Sequence, residues 1–328
     1  MILHPRKPDI ELLFFRALNH RSTLSTKDEA KLNRLEKGYA GELIYDELYD
    51  QVINHLYTFR NIYLKVEDTI LQIDSLIVTD HGLFVHEIKN FQGLYEIINN
   101  KWTIRQSPLS NDPIIQLKRT TNRLQSFNYT LQENMPILGK LIFTNIEFNI
   151  ESQDKEILEQ IIMRSQLRRY FHELKNYSST EKAKFYVNYI MENIVENPFF
   201  NREVDLSKVK KGVYCLKCNS FNMKKLQFHF KCQDCQCMDT IHAHILRTLS
   251  DYHALFYKQP ITISSLYEFI DGSVSKSSLI RVLNKYCTRT NKNRSSAYSF
   301  KYHDFEEAMT STDKKPRYLD YSRVELVR

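Results

Sequence analysis

The stretch Leu71 to Asn90, LQIDSLIVTDHGLFVHEIKN, decides how the chain is read. Two β-branched, alternating runs flank His81-Gly82, the kind of dipeptide that closes a tight hairpin. With His81 and Gly82 as a two-residue loop, Asp80 faces Leu83 and Thr79 faces Phe84, which sets Asp74 opposite Lys89 and diagonal to Glu87. Side chains two apart on a strand share a face, so Asp74, Glu87 and Lys89 are expected to converge within roughly 7–8 Å. Charges on a sheet face covered by a helix are kept mainly for mutual pairing or for chemistry. In an isolated hairpin the commoner outcome is a solvated salt bridge. His81 reads as a turn residue, and His86, one step from Glu87, points to the opposite face.

Upstream, a long helix is expected from Thr26 to Tyr57, with Leu32, Leu35, Tyr39, Leu43 and Tyr49 at helical spacing. Glu42 follows Tyr39 by three and Leu35 by seven, so a carboxylate falls on the side meant to be buried. Downstream, Lys101 to Arg105 reads as a third strand, with Trp102 as a packing residue. Asn111-Asp112-Pro113 then opens a helix that carries Gln116, Leu117 and Leu124.

Taken in order, these pieces resemble a known family. Asp74 followed by Glu87-Ile88-Lys89 resembles the core of the PD-(D/E)XK nuclease superfamily. Gly38-Tyr39-Ala40-Gly41-Glu42, Gln72-Ile73-Asp74, Glu87-Ile88-Lys89-Asn90 with Gly93 beyond, and Asn111-Asp112-Pro113-Ile114-Ile115-Gln116 narrow the resemblance to the nuclease-related domain family, over about residues 34–145. One departure is Ile73, where the superfamily's name has proline. The resemblance implies an α/β fold, a restriction-endonuclease-like mixed sheet flanked by helices, and a catalytic set of Glu42, Asp74, Glu87, Lys89 and Gln116. It implies Mg²⁺ or Mn²⁺ on Asp74 and Glu87, with Glu42 as an accessory ligand to metal or water. Lys89 would stabilise developing charge, and Gln116 would orient a carboxylate or a phosphate oxygen. A hard divalent cation on carboxylates suits phosphodiester hydrolysis because it relieves the charge that builds on phosphate oxygens.

At 328 residues the chain has room for two or three domains, and 42 % apolar residues with only 7 Gly and 8 Pro exclude a disordered or low-complexity protein. Asp9 and Glu11 interrupt any signal-peptide core at the amino terminus, and no apolar run approaches the ~18 residues of a membrane span. A cytoplasmic protein without a membrane segment is expected. The charge is uneven: from Leu206 onward there are 21 Lys and Arg against 11 Asp and Glu, whereas residues 1–205 carry 25 against 28. A basic carboxy-terminal third suits a phosphate backbone, although a solvated lysine-rich surface has the same composition.

Between these parts, helices are expected over Glu156 to Leu174 and Thr180 to Val195. Arg164, Arg168 and Arg169 on the first read as a solvated face more readily than a phosphate contact. After Asn197-Pro198 the chain turns polar, which places a boundary near 196–210. Cys215-x2-Cys218 and Cys232-x2-Cys235, thirteen residues apart, have the spacing of a tetrahedral structural zinc site. Cys237 competes with Cys235, which ranks higher on spacing, and His242 and His244 rank lower. Lys224 to Lys231 alternates as one ribbon strand, with Lys217, Lys224, Lys225 and Lys231 available to nucleic acid. Helices at Ile241 to Tyr257, Ile263 to Ile270 and Ser275 to Tyr286, a turn at Asp271-Gly272 and a wing-like Thr288 to Ser296 resemble a helix-turn-helix or winged-helix module. Cys287 is read as a packing residue.

The resulting division is an amino-terminal extension (1–33), a nuclease-related domain (34–145), a helical extension (146–205), a zinc ribbon (206–240) and a basic winged-helix-like module (241–328). The expected activity is metal-dependent cleavage of nucleic acid, DNA above RNA. The alternatives are a non-catalytic nucleic-acid adaptor, silent without a partner such as a helicase or another DNA-processing protein, and a protein-interaction scaffold.

Overall fold

The computed structural model describes residues 1–98, 101–105, 107–109, 111–290 and 296–311. Two compact units emerge: Met1–Asp9 with Asn33–Phe199, and Ile10–Leu32 with Phe200–Arg328. The segment that reads along the chain as one amino-terminal extension is thus shared between them.

The first unit is built on a seven-stranded mixed sheet. Its order is Ile2–His4, Tyr57–Val66, Thr69–Val78, Leu83–Lys89, Ile137–Phe143 and Ile161–Ile162, with Ile194–Val195 paired to Tyr57–Val66. Leu83–Lys89 is antiparallel to Thr69–Val78 and parallel to Ile137–Phe143. Apolar residues in near-continuous runs mark strands buried on both faces, and helices cover both. On one face Tyr45 and Tyr49 of helix Thr26–Asp50 and Leu167 and Phe171 of helix Arg164–Leu174 meet Ile77, Phe84 and Ile88. On the other, Leu117 and Leu124 of helix Pro113–Leu131 and Tyr186 of helix Glu181–Asn193 meet Leu76, Val78, Leu83 and Val85. The expected α/β architecture, a mixed sheet flanked by helices, is the one observed.

The hairpin register differs from the expected one by two residues. Val78 pairs with Leu83 and Ser75 with His86, so the loop spans Thr79 to Gly82 in place of His81-Gly82 alone. Polar side chains explain the longer loop. Thr79 Oγ1 accepts from the backbone N–H groups of His81 and Gly82 and donates to Gly82 O. Asp80 leaves the ladder and accepts from the N–H groups of Thr180 and Ala183, capping helix Glu181–Asn193. A shift of two preserves the side-chain period, so Asp74, Glu87 and Lys89 keep a common face while Glu87 replaces Lys89 as the residue facing Asp74.

Three further expectations change. The first long helix stops at Asp50, because Tyr57 already begins a strand. Its buried side carries Gly41, Tyr45, Leu48 and Tyr49, which leaves Leu43 44 % exposed, outside the stripe expected for it. The helix expected over Glu156 to Leu174 is broken into Lys155–Glu159 and Arg164–Leu174, because Ile161–Ile162 extends the sheet beside Leu141 and Ile142. Trp102 is buried, stacked on Phe143 and edge-on to Tyr95, as a packing residue.

In the second unit the expected strand Lys224 to Lys231 is folded as a hairpin. Met223–Lys225 and His229–Cys232 pair antiparallel around Leu226 to Phe228, and Met238–Thr240 adds a third strand. Helices Ile241–Leu255, Ile263–Phe269 and Lys276–Tyr286 follow, with Ile261–Thr262, Cys287–Arg289 and Ala297–Phe300 forming a small antiparallel sheet. Helix, strand, two helices and two strands in that order are winged-helix-like. Residues 291–295, the middle of the stretch expected as a wing, lie outside the described residues, as do 312–328. Helix Ile10–Arg21 contributes buried Phe14, Phe15 and Leu18 to this unit, and Arg21 pairs with Asp251 at 2.8 Å in its interior. Among the described residues no helix is long and apolar enough to cross a membrane.

Candidate active site and metal-binding residues

The antiparallel ladder between Thr69–Val78 and Leu83–Lys89 ends at Ser75 and His86. Beyond it a side chain takes over the pairing: the Asp74 carboxylate accepts from the Ile88 backbone N–H at 2.8 Å. The regular ladder stops there, with a buried carboxylate on each strand. Asp74 is 8 % exposed and Glu87 3 %. Lys89, two residues beyond Glu87 on the same face, donates from Nζ to Glu87 Oε1 at 2.5 Å and to Gln116 Oε1 at 3.2 Å.

Gln116 arrives because Asp112 caps its helix, accepting from Ile114 and Ile115 N–H with Pro113 at the first position. The helix can lie close to the sheet because Gly139 faces it, where a Cβ would stand 2.9 Å from Thr121 and 3.1 Å from Leu117. Glu42 comes from the helix on the other face. Gly41 permits its approach, since a Cβ there would stand 2.5 Å from the Asn90 Cβ and 2.8 Å from Thr144 Oγ1. Asn90 completes that junction by donating to Lys37 O at 2.8 Å.

Asp74, Glu87, Lys89 and Gln116 are therefore brought together. Glu42 is drawn aside by a residue the sequence reading missed. Arg6 donates to Glu42 Oε2 at 2.7 Å, to Asp46 Oδ2 at 2.8 Å and to the Asp74 carbonyl at 2.9 Å. No local pattern marks Arg6: it sits in a short polar run after a three-residue strand, and only the tertiary fold delivers it to the acids. His86 points away from the site, held between the Tyr45 and Tyr170 hydroxyls at 2.6 and 2.8 Å. Burial holds its pKa down near 3, so it is a neutral core residue.

Burial dominates the electrostatics of these acids. Burial raises the Glu87 carboxyl, and the neighbouring Asp74 raises it further against the opposing pull of Lys89. Burial likewise raises Glu42 despite Arg6, with Asp74 adding to the effect. Burial disfavours the Lys89 ammonium, yet Glu87, Asp74 and Glu42 together hold its pKa above the ordinary lysine value. A hard divalent cation fits the carboxylates of this set, whose donor atoms are all oxygen.

The cysteines form a second cluster. Ligand sulfurs of Cys215, Cys218, Cys232 and Cys235 all lie within 4.8 Å of one another, with Cys215–Cys235 at 3.4 Å and Cys218–Cys232 at 3.6 Å. Four thiolates around a zinc at about 2.3 Å would stand about 3.8 Å apart, so the set can hold such a metal. The Cys237 N–H lowers the Cys235 thiol to about 6, which favours its thiolate. Cys237 is outside the set. So are His242, bonded to the Tyr286 hydroxyl, and His244, packed edge-on to Phe230. Cys287 is buried away from the cluster.

Residues 37–144 match the family model of the nuclease-related domain, a span that contains Glu42, Asp74, Glu87, Lys89 and Gln116 and excludes Arg6 and every cysteine. No curated protein and no solved structure matches the chain.

Proposed function

From a chain whose residues 37–144 carry a nuclease-related domain, we propose a metal-dependent nuclease that hydrolyses phosphodiester bonds, with DNA as the preferred substrate. The observation that carries this reading is the end of a strand ladder at two buried carboxylates, Asp74 and Glu87, with the Lys89 ammonium 2.5 Å from Glu87. Paired buried carboxylates are unfavourable for folding unless a function retains them.

Asp74 and Glu87 would hold Mg²⁺ or Mn²⁺, which supplies charge relief at the phosphate and a more acidic water. Lys89 would face a non-bridging phosphate oxygen and stabilise charge that develops there. Gln116 accepts from Lys89 and so orients the ammonium, leaving its own amide N–H₂ free to turn toward substrate oxygen. Glu42 is an accessory acid, acting on Asp74 and Glu87 through its field. Cys215, Cys218, Cys232 and Cys235 would hold a structural Zn²⁺ with no open coordination position. Lys224 and Lys231 face each other across the ribbon hairpin, an unfavourable like-charge pair that a polyanion would relieve. Lys276, Arg281 and Lys285 lie on the exposed side of the last long helix, where a winged-helix-like module would meet a nucleic-acid groove.

The test is cleavage of supercoiled plasmid, linear duplex, single-stranded DNA and RNA by the full chain with Mg²⁺, Mn²⁺ or chelator. Metal-dependent cleavage that falls at least about 100-fold in Asp74→Ala and in Lys89→Ala is expected. Undiminished cleavage by the double variant would sink the reading. One observation favours the second reading, an adaptor that acts only with a partner such as a helicase: Glu42 is already satisfied by Arg6 and not turned into the site. Salt-dependent DNA binding without cleavage under any metal would select it.

A further inference from the structure

Arg6 places a permanent positive charge beside Glu42 and Asp46. Its side chain is 1 % exposed, and its guanidinium meets Glu42 and Asp46 from one helix and the Asp74 carbonyl from the neighbouring strand. A second Asp46 contact runs from Nη2 at 3.3 Å. Arginine stays protonated in any such environment, so these bonds persist across the working pH range.

Further cations stand around it. Arg60 Nε stands 3.2 Å from Asp46 and Nη2 2.5 Å from Asp50, and Lys89 pairs with Glu87. Glu42 and Asp46 thus already have guanidinium partners, whereas no arginine is paired with the Asp74 or Glu87 carboxylate among the ion pairs of the described residues. Glu42 faces Arg6, and Glu42, Asp74 and Glu87 do not gather as a set of ligand atoms; among the described residues the cysteines alone form such a set of three or more.

We propose that Arg6 limits the site to a single divalent cation: it holds Glu42 out of direct coordination and leaves Asp74 and Glu87 to bind one ion. The inference rests on the metal-dependent reading above. Arg6 is a positioning residue, and it also ties helix Thr26–Asp50 to the strand carrying Asp74. It lies outside the matched span, so nine amino-terminal residues complete a site whose other members fall within 37–144.

The test counts ions. Mn²⁺ is titrated into the full chain saturated with zinc, and free Mn²⁺ is followed by electron paramagnetic resonance. Wild type takes up one Mn²⁺ and Arg6→Gln takes up two, because the released Glu42 becomes a ligand. Adding Glu42→Gln to Arg6→Gln returns the count to one. Glu42→Gln alone keeps one ion with an affinity within about threefold of wild type. A count of one in Arg6→Gln, with circular dichroism showing it folded, overturns the inference while leaving the nuclease reading intact. If Arg6→Gln does not fold, the single Glu42→Gln variant decides: a loss of affinity of about tenfold or more makes Glu42 a direct ligand and overturns the inference. Failure of wild type to take up Mn²⁺ overturns both readings, whereas loss of uptake in Asp74→Asn with one ion in wild type supports the metal site.

Discussion

Glu87 shows the conflict between folding and chemistry within one side chain. It is buried beside another carboxylate, and burial first, then Asp74, raise its carboxyl from 4.5 to about 8. The unfolded chain releases this proton near 4.5, so between those values the folded protein binds more protons than the unfolded one. Metal-free stability from this group is therefore present below about pH 4.5 and is lost as pH rises through about 8. The thermal midpoint of the first unit in chelator should fall between pH 5 and pH 8, by about 2–4 °C for each kcal/mol lost in a domain of this size. Glu87→Gln should flatten the profile, and Mn²⁺ at pH 8 should restore the wild-type midpoint but not that of Glu87→Gln. Equal slopes in the two proteins would contradict this account. The acids and Lys89 were legible in sequence because strand alternation assigns faces, and a register shifted by two leaves them unchanged. Arg6 was not, because burying a guanidinium depends on partners forty and sixty-eight residues away.

At the scale of elements, close approach is set by what is missing from Gly41. Helix Thr26–Asp50 rests on Asn90 and Thr144 there, and an added methyl would collide with both. Gly41→Ala is expected to lift the helix, lower stability by about 1–3 kcal/mol, and reduce the proposed cleavage by more than stability alone explains. Heat denaturation beside single-turnover cleavage below the midpoint checks both parts. The hairpin loop offers a second test, since Asp80 caps helix Glu181–Asn193 through two backbone N–H groups. Asp80→Ala should cost about 0.5–2 kcal/mol and leave cleavage unchanged, measured by denaturant midpoint and initial rate. This loop was misread from sequence because His81-Gly82 has tight-turn chemistry, whereas Thr79 and Asp80 have stronger local hydrogen-bonding roles that a propensity for turns does not register. The ribbon was easier, since cysteine spacing dictates which sulfurs can meet. The full chain should retain zinc after dialysis, Cys218→Ser should lose it and Cys237→Ser should keep it, as read by a colorimetric zinc assay. Retention by Cys218→Ser would remove the four-sulfur assignment.

For the whole molecule, order along the chain and membership in a compact unit are different things. Periodicity, turn chemistry and metal spacing read the elements in sequence, and so they set residues 1–33 apart as an extension. The packing divides them: Met1–Asp9 joins the nuclease-related unit and Ile10–Leu32 joins the cysteine-containing one. The reason lies in pairings across very long separations, which no local pattern encodes. Ile2–His4 runs parallel to Tyr57–Val66, while Phe14 packs edge-on to Phe200 and Arg21 pairs with Asp251. Deleting residues 1–33 should therefore damage both units at once. In the first, Glu42 loses its guanidinium partner and Asp46 keeps only Arg60. In the second, Asp251 is left as a buried charge without its cation, a loss of about 3–5 kcal/mol before the missing Phe14, Phe15 and Leu18 are counted. Hydrogen exchange by mass spectrometry separates the contributions: faster exchange is expected in the strands Tyr57–Val66 and Thr69–Val78 and in helix Ile241–Leu255. Arg21→Met alone should affect only that helix and its neighbours, and Arg6→Gln only the sheet. Protection unchanged in either unit after the deletion would show that the amino-terminal residues are an appendage to it, and the single substitutions would then identify which pairing adds no stability.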